Sequence, residues 1–352
     1  MTIKVYADRI EIGAKTITTT PTGIRIGDSL AANTQQQGYI NQANFTAREL
    51  AFGSETFQGS SFGYASGGYA PGNQNVIEKY SFASNANATD VGDLTQARMR
   101  GSGQSSSVSG YTSGSRTPPT ETNTIDKFPF ATNTNATDVG NLSSNRGELA
   151  GQSSTVSGYT SGGETVSSPY TATNTIDKFP FAADTNATDI GDLTVARGDP
   201  SGQSSTVSGY SSGGSTPTAA DRTNTIDKFP FATDSNATDV GDTTETKYRS
   251  TGSSSTTHGY ACGSFTLPPE AGTNVIDKFP FAADTNATDI GDLTVARGLG
   301  SGTSSTVSGY CAGGYGNGQK NTIDKFPFAT DTNATDVGDL TAAKYGTAGQ
   351  QN

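Results

Sequence analysis

Tryptophan is absent from this chain, histidine occurs once and cysteine twice. A general base needs a partner acid or nucleophile. His258 has none in view and stands where other repeats carry Ser109, Ser157, Ser208 and Ser308, so it reads as a drifted turn residue. Cys262 and Cys311 are too few for a disulfide framework and fall at non-equivalent places after a repeat tyrosine. They read as small residues within strands. No basic stripe is present and the net charge is −11, so nucleic-acid binding has no electrostatic footing. No 18-residue apolar run occurs, so no span of a membrane is expected. The first residues lack the apolar core of a secretory signal. GxSxG, P-loop, dinucleotide and Cys-His motifs are missing, and with them the commonest reaction classes. Only 31% of the chain is hydrophobic, against 44 glycines. That composition suits many short strands and turns rather than a helical core.

What is present is a repeat. Asn174-Thr-Ile-Asp-Lys-Phe-Pro-Phe181, followed by Ala187-Thr-Asp-Ile-Gly-Asp-Leu-Thr194, recurs six times. Its isoleucine falls at Ile77, Ile125, Ile176, Ile226, Ile276 and Ile323, in steps of 48, 51, 50, 50 and 47 residues. Such a period, filling most of a chain, marks an array of supersecondary units.

The unit from Gly202 to Arg249 predicts four strands. Gly202–Val207 is the first, Ser208-Gly209 a two-residue turn, and Tyr210–Ser212 the second, ended by Gly213-Gly214. Thr223–Phe229 is the third, stopped by Pro230. Asp234–Ala237 turns the chain into the fourth, Thr238–Asp242. Four short antiparallel strands in about 50 residues make a propeller blade, and six units make six blades. The Gln-Ser-Ser-Thr strand is expected innermost, lining an axial channel with hydroxyls and amides. Ile226, Phe229 and Phe231 are expected to pack blade on blade. The chain end, Ala348-Gly349-Gln350, resembles another first strand, so either terminus could close the ring.

The pattern resembles the kelch repeat: Tyr64-x-x-Gly67-Gly68, Tyr159-x-x-Gly162-Gly163, Tyr210-x-x-Gly213-Gly214 and Tyr310-x-x-Gly313-Gly314. An aromatic-Pro stop follows in five copies, and an arginine follows the fourth strand at Arg98, Arg146, Arg197 and Arg297. Gly114-Ser115 and Gly263-Ser264 weaken two copies, and the kelch tryptophan is missing. The resemblance implies an all-β, six-bladed kelch-like β-propeller and is nearly silent on function.

The organisation expected is a β-rich N-terminal segment with a linker, residues 1–40, and a propeller over 41–352. Ile3–Ala7, Arg9–Ile12, Lys15–Thr20 and Ile24–Ile26 alternate as short strands, and Ser29–Gln37 reads as linker or short helix. Phe45-Thr-Ala-Arg48 echoes Leu193–Arg197 and could supply a degenerate fourth strand.

No catalytic, cofactor or metal residue is assigned. Lys228, with its equivalents Lys79, Lys127, Lys178, Lys278 and Lys325, recurs next to acids, here Asp227 and Asp239, and reads as an interblade ion pair. Asp184-Thr-Asn-Ala-Thr-Asp189 has the alternating oxygens of a calcium loop, but Asp189 replaces the required glycine and no bidentate glutamate follows. An Asx-rich turn explains it. The carboxylates look repeat-symmetric and the tyrosines look like core residues, so neither an enzyme nor a lectin is expected. Strand cores are nearly identical while the loops diverge, at Arg116–Thr122, Glu164–Thr173, Phe265–Thr273, Tyr315–Lys320 and after Arg98, Arg197 and Arg297. A constant frame with divergent loops suits a binding surface.

The opening Thr2–Gly13 and the repeated Ile-Asp-Lys-Phe-Pro-Phe-Ala resemble structural proteins of marine bacteriophages, especially cyanophages. That resemblance implies a virion protein: residues 1–40 would bind other virion proteins, and the rim loops of a tail-fibre or head-fibre module would meet a host surface receptor. The alternative is a non-viral kelch-type protein-interaction module.

Overall fold

The structure, a computed structural model, describes residues 58–352 except 118–119, 166–170, 217–221 and 267–270, together with the backbone of 3–5, 9–12, 15–20, 23–28 and 38–40. The chain forms two compact units, Met1–Glu55 and Thr56–Asn352. In the first, Ile3–Val5, Arg9–Ile12, Lys15–Thr20, Gly23–Asp28 and Gly38–Ile40 form one antiparallel sheet in chain order. The expected linker at Ser29–Gln37, the expected boundary near residue 41 and the strand expected at Phe45–Arg48 lie outside the described residues.

The second unit is all β. Six four-stranded antiparallel sheets follow one another, each with the divergent loop between its second and third strands. In blade 4 the strands are Ser201–Ser204, Ser208–Ser212, Thr225–Pro230 and Thr238–Asp242. The inner turn lies three residues earlier than the sequence suggests. Ser205 Oγ accepts the N–H groups of Val207 and Ser208 at 3.3 and 2.9 Å, building the turn from a serine. Val207 therefore stands at a hairpin tip, 67% exposed, not inside a strand.

Blade 1 pairs Phe62–Ser66, Val76–Ser81 and Thr89–Asp93 with Ala348–Gln351, the end of the chain, as its innermost strand. The carboxy terminus thus closes the ring. Blades 2 and 5 are the weakened copies, and their hairpins are longer: Ser109–Thr117 with Thr120–Pro129, and His258–Thr266 with Ala271–Pro280. In blade 4, Gly213 and Gly214 both take positive φ (65° and 117°) and end the strand. Where serine replaces the second glycine, only the first leaves extended backbone, and the strand resumes beyond a bulge.

Blades adhere through a repeated aromatic contact. Phe231 stacks on Tyr159 of the preceding blade at 4.7 Å and Phe229 lies tilted on it at 5.7 Å. Ile176, Leu193 and Ala237 complete that layer. Beside it runs a ring of buried ion pairs, each joining one blade to the next. Arg98–Asp126, Arg146–Asp177, Arg197–Asp227 and Arg297–Asp324 lie at 2.8–3.1 Å. Lys247–Asp277 and Lys344–Glu78 lie at 2.7 Å. Thr194 adds its N–H and hydroxyl to Asp227 at 2.9 and 2.7 Å. The paired, hydrogen-bonded state is what makes such burial tolerable. At the ring closure both residues change together: lysine replaces arginine and the longer Glu78 replaces aspartate.

The axis is narrower than the expected hydroxyl- and amide-lined channel: inner-strand residues such as Gln104, Ser105, Gln152, Ser153, Gln203 and Ser204 line only a small cavity of about 60 Å³ there. The inner strands meet through glycines, and a Cβ on Gly202 would collide with the Gly151 carbonyl, with the same relation repeated around the ring. Serine and glutamine side chains turn sideways to stitch blades. Gln203 Nε2 donates to the Tyr260 carbonyl at 3.0 Å, and the Ser153 N–H donates to Ser204 Oγ at 3.0 Å.

The half-buried repeat lysines are interblade ion-pair partners in four copies, but with a different acid from those beside them in sequence. Lys127, Lys178, Lys228 and Lys278 pair with Asp184, Asp234, Asp284 and Asp331 of the following blade at 2.8–3.0 Å. Asp227, next to Lys228 in sequence, is committed to Arg197 instead. The Asx turn is therefore a connector, and Asn186 Oδ1 accepts the Asn141 N–H across the same boundary at 3.0 Å.

Candidate functional site

The two faces of the propeller differ. One carries the hairpin tips between first and second strands, with exposed Val108, Val156, Val207 and Val307 at equivalent places. The chain enters on this face, where Gly59 N–H donates to the Ser304 carbonyl at 2.8 Å. The opposite face carries the divergent loops, and we call it the loop face.

At its centre six equivalent residues encircle the axis: Arg100, Glu148, Asp199, Arg249, Leu299 and Gly346. Each donates its N–H to the carbonyl of the one before, at 2.7–2.9 Å, and Arg100 closes the ring on Gly346. This geometry forces a left-handed backbone, with φ between 54° and 67° at all six. Only one copy uses glycine. Side chains with a Cβ are disfavoured there by about 1–2 kcal/mol each. Five copies keep them, and their identities diverge more than any strand position. The fold sets the backbone at this place, and side chains retained there despite the strain make it a candidate functional position.

Two basic and two acidic members gather neighbours into a cluster. Arg100 pairs with Glu148, and Arg116 donates to the same Glu148 oxygen at 2.6 Å. Arg249 Nε donates to Asp199 at 3.0 Å. Glu164, at the base of the blade 3 loop, brings a third carboxylate. Oxygens of Glu148, Glu164 and Asp199 all lie within 4.8 Å of one another. Burial disfavours the Glu148 carboxylate, yet Arg100, a hydrogen bond with Glu164 and Arg116 together hold it at about 2. Burial and then the neighbouring Glu148 push Glu164 up to about 8. Burial and Glu148 also raise Asp199, to about 6, against Arg249 and Arg100. Glu164 thus holds the proton while Glu148 is ionised.

On the other side of the axis the same face is aromatic. Tyr248, Phe265, Tyr315, Tyr345 and Tyr69 follow in an arc over blades 5, 6 and 1, with successive ring centres 6.0, 6.5, 5.5 and 5.3 Å apart. Tyr248 and Phe265 are buried, Tyr345 and Tyr69 are half-buried, and Tyr315 is 41% exposed. The expectation that tyrosines are core residues holds for Tyr64, Tyr111, Tyr159, Tyr210, Tyr260 and Tyr310. It fails for Tyr69, Tyr315 and Tyr345, which lie outside the repeated Tyr-x-x-Gly strand. The expectation of symmetric carboxylates likewise fails at Glu148, Glu164 and Asp199. For Glu148 and Asp199 the sequence signal was the residue two places after each buried Arg or Lys, where six copies give five different amino acids; Glu164 stands among the divergent loops.

Of the residues weighed from sequence, His258 lies on the hairpin face with Nδ1 2.8 Å from Thr257 Oγ1. Burial, then Lys278, lower its pKa, with Asp331 opposing. Cys262 and Cys311 are buried free thiols in strands. None of these three reaches the loop face.

No family model matches the sequence. No curated protein matches it either. Among solved structures the chain is similar to that of YjhT, with a TM-score of 0.61 and 10% identity, over 80% of this chain and 98% of that one. The chain is a six-bladed β-propeller. At 10% identity the likeness speaks for the fold alone.

Proposed function

We propose that the propeller is a non-catalytic attachment module of a bacteriophage virion. Its loop face meets a host surface receptor, and residues 1–40 bind other virion proteins. The observation that carries the binding role is the ring of five side chains kept at left-handed positions around the axis, on the face where the loops also diverge. The phage setting rests on the resemblance of Thr2–Gly13 and of the repeated Ile-Asp-Lys-Phe-Pro-Phe-Ala.

One observation favours a hydrolase: the separation in pKa between Glu148 and Glu164, which resembles an acid and an ionised partner. Distance argues against it. Glycoside hydrolysis needs its two carboxyl groups about 5–9.5 Å apart, with the scissile bond between them. Here the oxygens lie within 4.8 Å and Glu148 and Glu164 are hydrogen-bonded to each other. The Glu148 charge is spent on Arg100 and Arg116.

Mass spectrometry of purified virions tests the assignment. The chain is expected among the particle proteins, and purified full-length chain is expected to compete with particles for adsorption to host cells. Its absence from particles would sink the virion reading and leave the non-viral protein-interaction module.

A further inference from the structure

We propose that Cys262 and Cys311 form a cross-linking site, at which oxidation joins blade 5 to blade 6 through a disulfide.

The chain has only these two cysteines, and their places in the repeat differ by one residue. Cys262 stands two residues after Tyr260, in the second strand of blade 5, His258–Thr266. Cys311 stands one residue after Tyr310, in the second strand of blade 6, Ser308–Ala312. That offset is what a bond across the boundary requires. Tyr260 stacks on Phe328 of blade 6 at 4.9 Å, so the strand face it shares with Cys262 looks forward to blade 6. Tyr310 stacks on Phe82 of blade 1 at 4.6 Å. Successive side chains of a strand point to opposite faces, so Cys311 looks back to blade 5.

Contacts across the boundary agree. Cys311 Sγ lies 3.6 Å from Thr251 Oγ1, and Thr251 is the residue opposite Cys262 in the blade 5 sheet. Directly opposed residues carry Cβ atoms about 4.5–5.5 Å apart. Both thiols are buried in one apolar layer with Tyr260, Ile276, Leu293 and Phe326. The boundary between blades 1 and 2 shows how near the two positions come. There they hold Ser66 and Thr112, whose hydroxyl oxygens are 2.7 Å apart. Side chains in such contact set their Cβ atoms near the separation of a disulfide, about 3.5–4.5 Å.

Bridge formation breaks two S–H bonds and makes one S–S bond. Two electrons and two protons pass to an oxidant, a small-molecule disulfide such as oxidised glutathione, which leaves as two thiols. Burial and then Cys311 raise the Cys262 thiol well above its ordinary value, so the closed boundary holds little thiolate. The bridge therefore closes during folding, while the boundary is open, and the finished ring then shields it from reductant.

The test refolds the full chain from urea in glutathione buffers of graded redox ratio, then alkylates it under denaturing conditions and measures its mass. An intramolecular bridge is expected, seen as the loss of both alkylation sites and as a linked peptide pair carrying Cys262 and Cys311. An unfolded chain with two cysteines can also close on itself, so the same titration is run in concentrated urea. The folded register should make the bridge about tenfold or more harder to reduce than in urea. The oxidised chain should also melt at a higher temperature than the reduced one. Cys262→Ser introduces the residue that blades 1–4 carry at this place, Ser66, Ser113, Ser161 and Ser212. That variant should fold, keep one alkylatable thiol and melt alike in oxidising and reducing buffer. Thiols that stay free in the folded chain, bridges between chains only, or equal reducibility in buffer and urea overturn the proposal.

Discussion

Glu164 shows how one side chain turns structure into pH dependence. Its folded pKa, about 8, lies above the ordinary 4.5. The proton it holds therefore stabilises the fold fully below 4.5, and that contribution is lost as pH rises towards 8. Asp199, raised from 3.8 to about 6, acts in the same direction over its own window. Glu148, held near 2, acts oppositely: its ion pairs contribute above 4.5 and are lost as pH falls from 4.5 to 2. Replacing Glu164 with glutamine fixes the neutral form and can keep a donor towards Glu148. Glu164→Gln should raise stability at pH 9 by roughly 1–2 kcal/mol, discounted for its partial exposure, and change little at pH 5. Urea midpoints at the two pH values measure this. An equal effect at both would show that the proton is not held there.

At the scale of the element, the last strand matters most. Ala348–Gln351 pairs with Phe62–Ser66, and Gln350 Nε2 donates to the Tyr111 carbonyl of blade 2 at 2.9 Å. Gln351 takes the serine's place in the axial stitching: its Oε1 accepts the Ser304 N–H at 2.7 Å. Deleting residues 348–352 exposes the edge of blade 1 and removes Gly349 from the glycine ring. We expect a chain that aggregates or unfolds well below the intact protein, since an open sheet edge invites pairing with other chains. Light scattering during a thermal ramp reads both outcomes. A monomeric, equally stable truncation would show that the ring closes without its last strand.

For the whole molecule, the decisive property is closure. In an open array each unit contacts only its neighbours, and stability adds along the line. Here six ion pairs and six aromatic layers return on themselves, so damage in one boundary loosens the ring as a unit. Asp227→Ala leaves Arg197 buried without its carboxylate and removes the acceptor for Thr194. Breaking such a pair costs about 3–5 kcal/mol. The expected result is one cooperative transition at lower denaturant, recorded alike by circular dichroism and tyrosine fluorescence. A separate early transition confined to part of the signal would mean that blades melt independently.

Period, composition and residue pattern by themselves determined the six blades, the all-β class, the aromatic blade contact and the glycine stops. They could do so because each repeat meets the same local physics: strand alternation, proline stops and positive-φ glycines act over a few neighbouring residues. Only the tertiary structure decided which partner each side chain takes. Lys228 reaches Asp284 and Asp227 reaches Arg197, because partners lie across a blade boundary and not beside one another in sequence. It also decided where the repeat stops being symmetric. Glu148 stands one copy before Glu164 and Asp199, and Tyr69 five copies before Tyr315 and Tyr345, and each looks like ordinary drift in its own loop. Wrapping six copies around one axis brings those drifted positions within a few ångströms on a single face. The loops diverge one by one along the chain, and the closed ring makes them one surface.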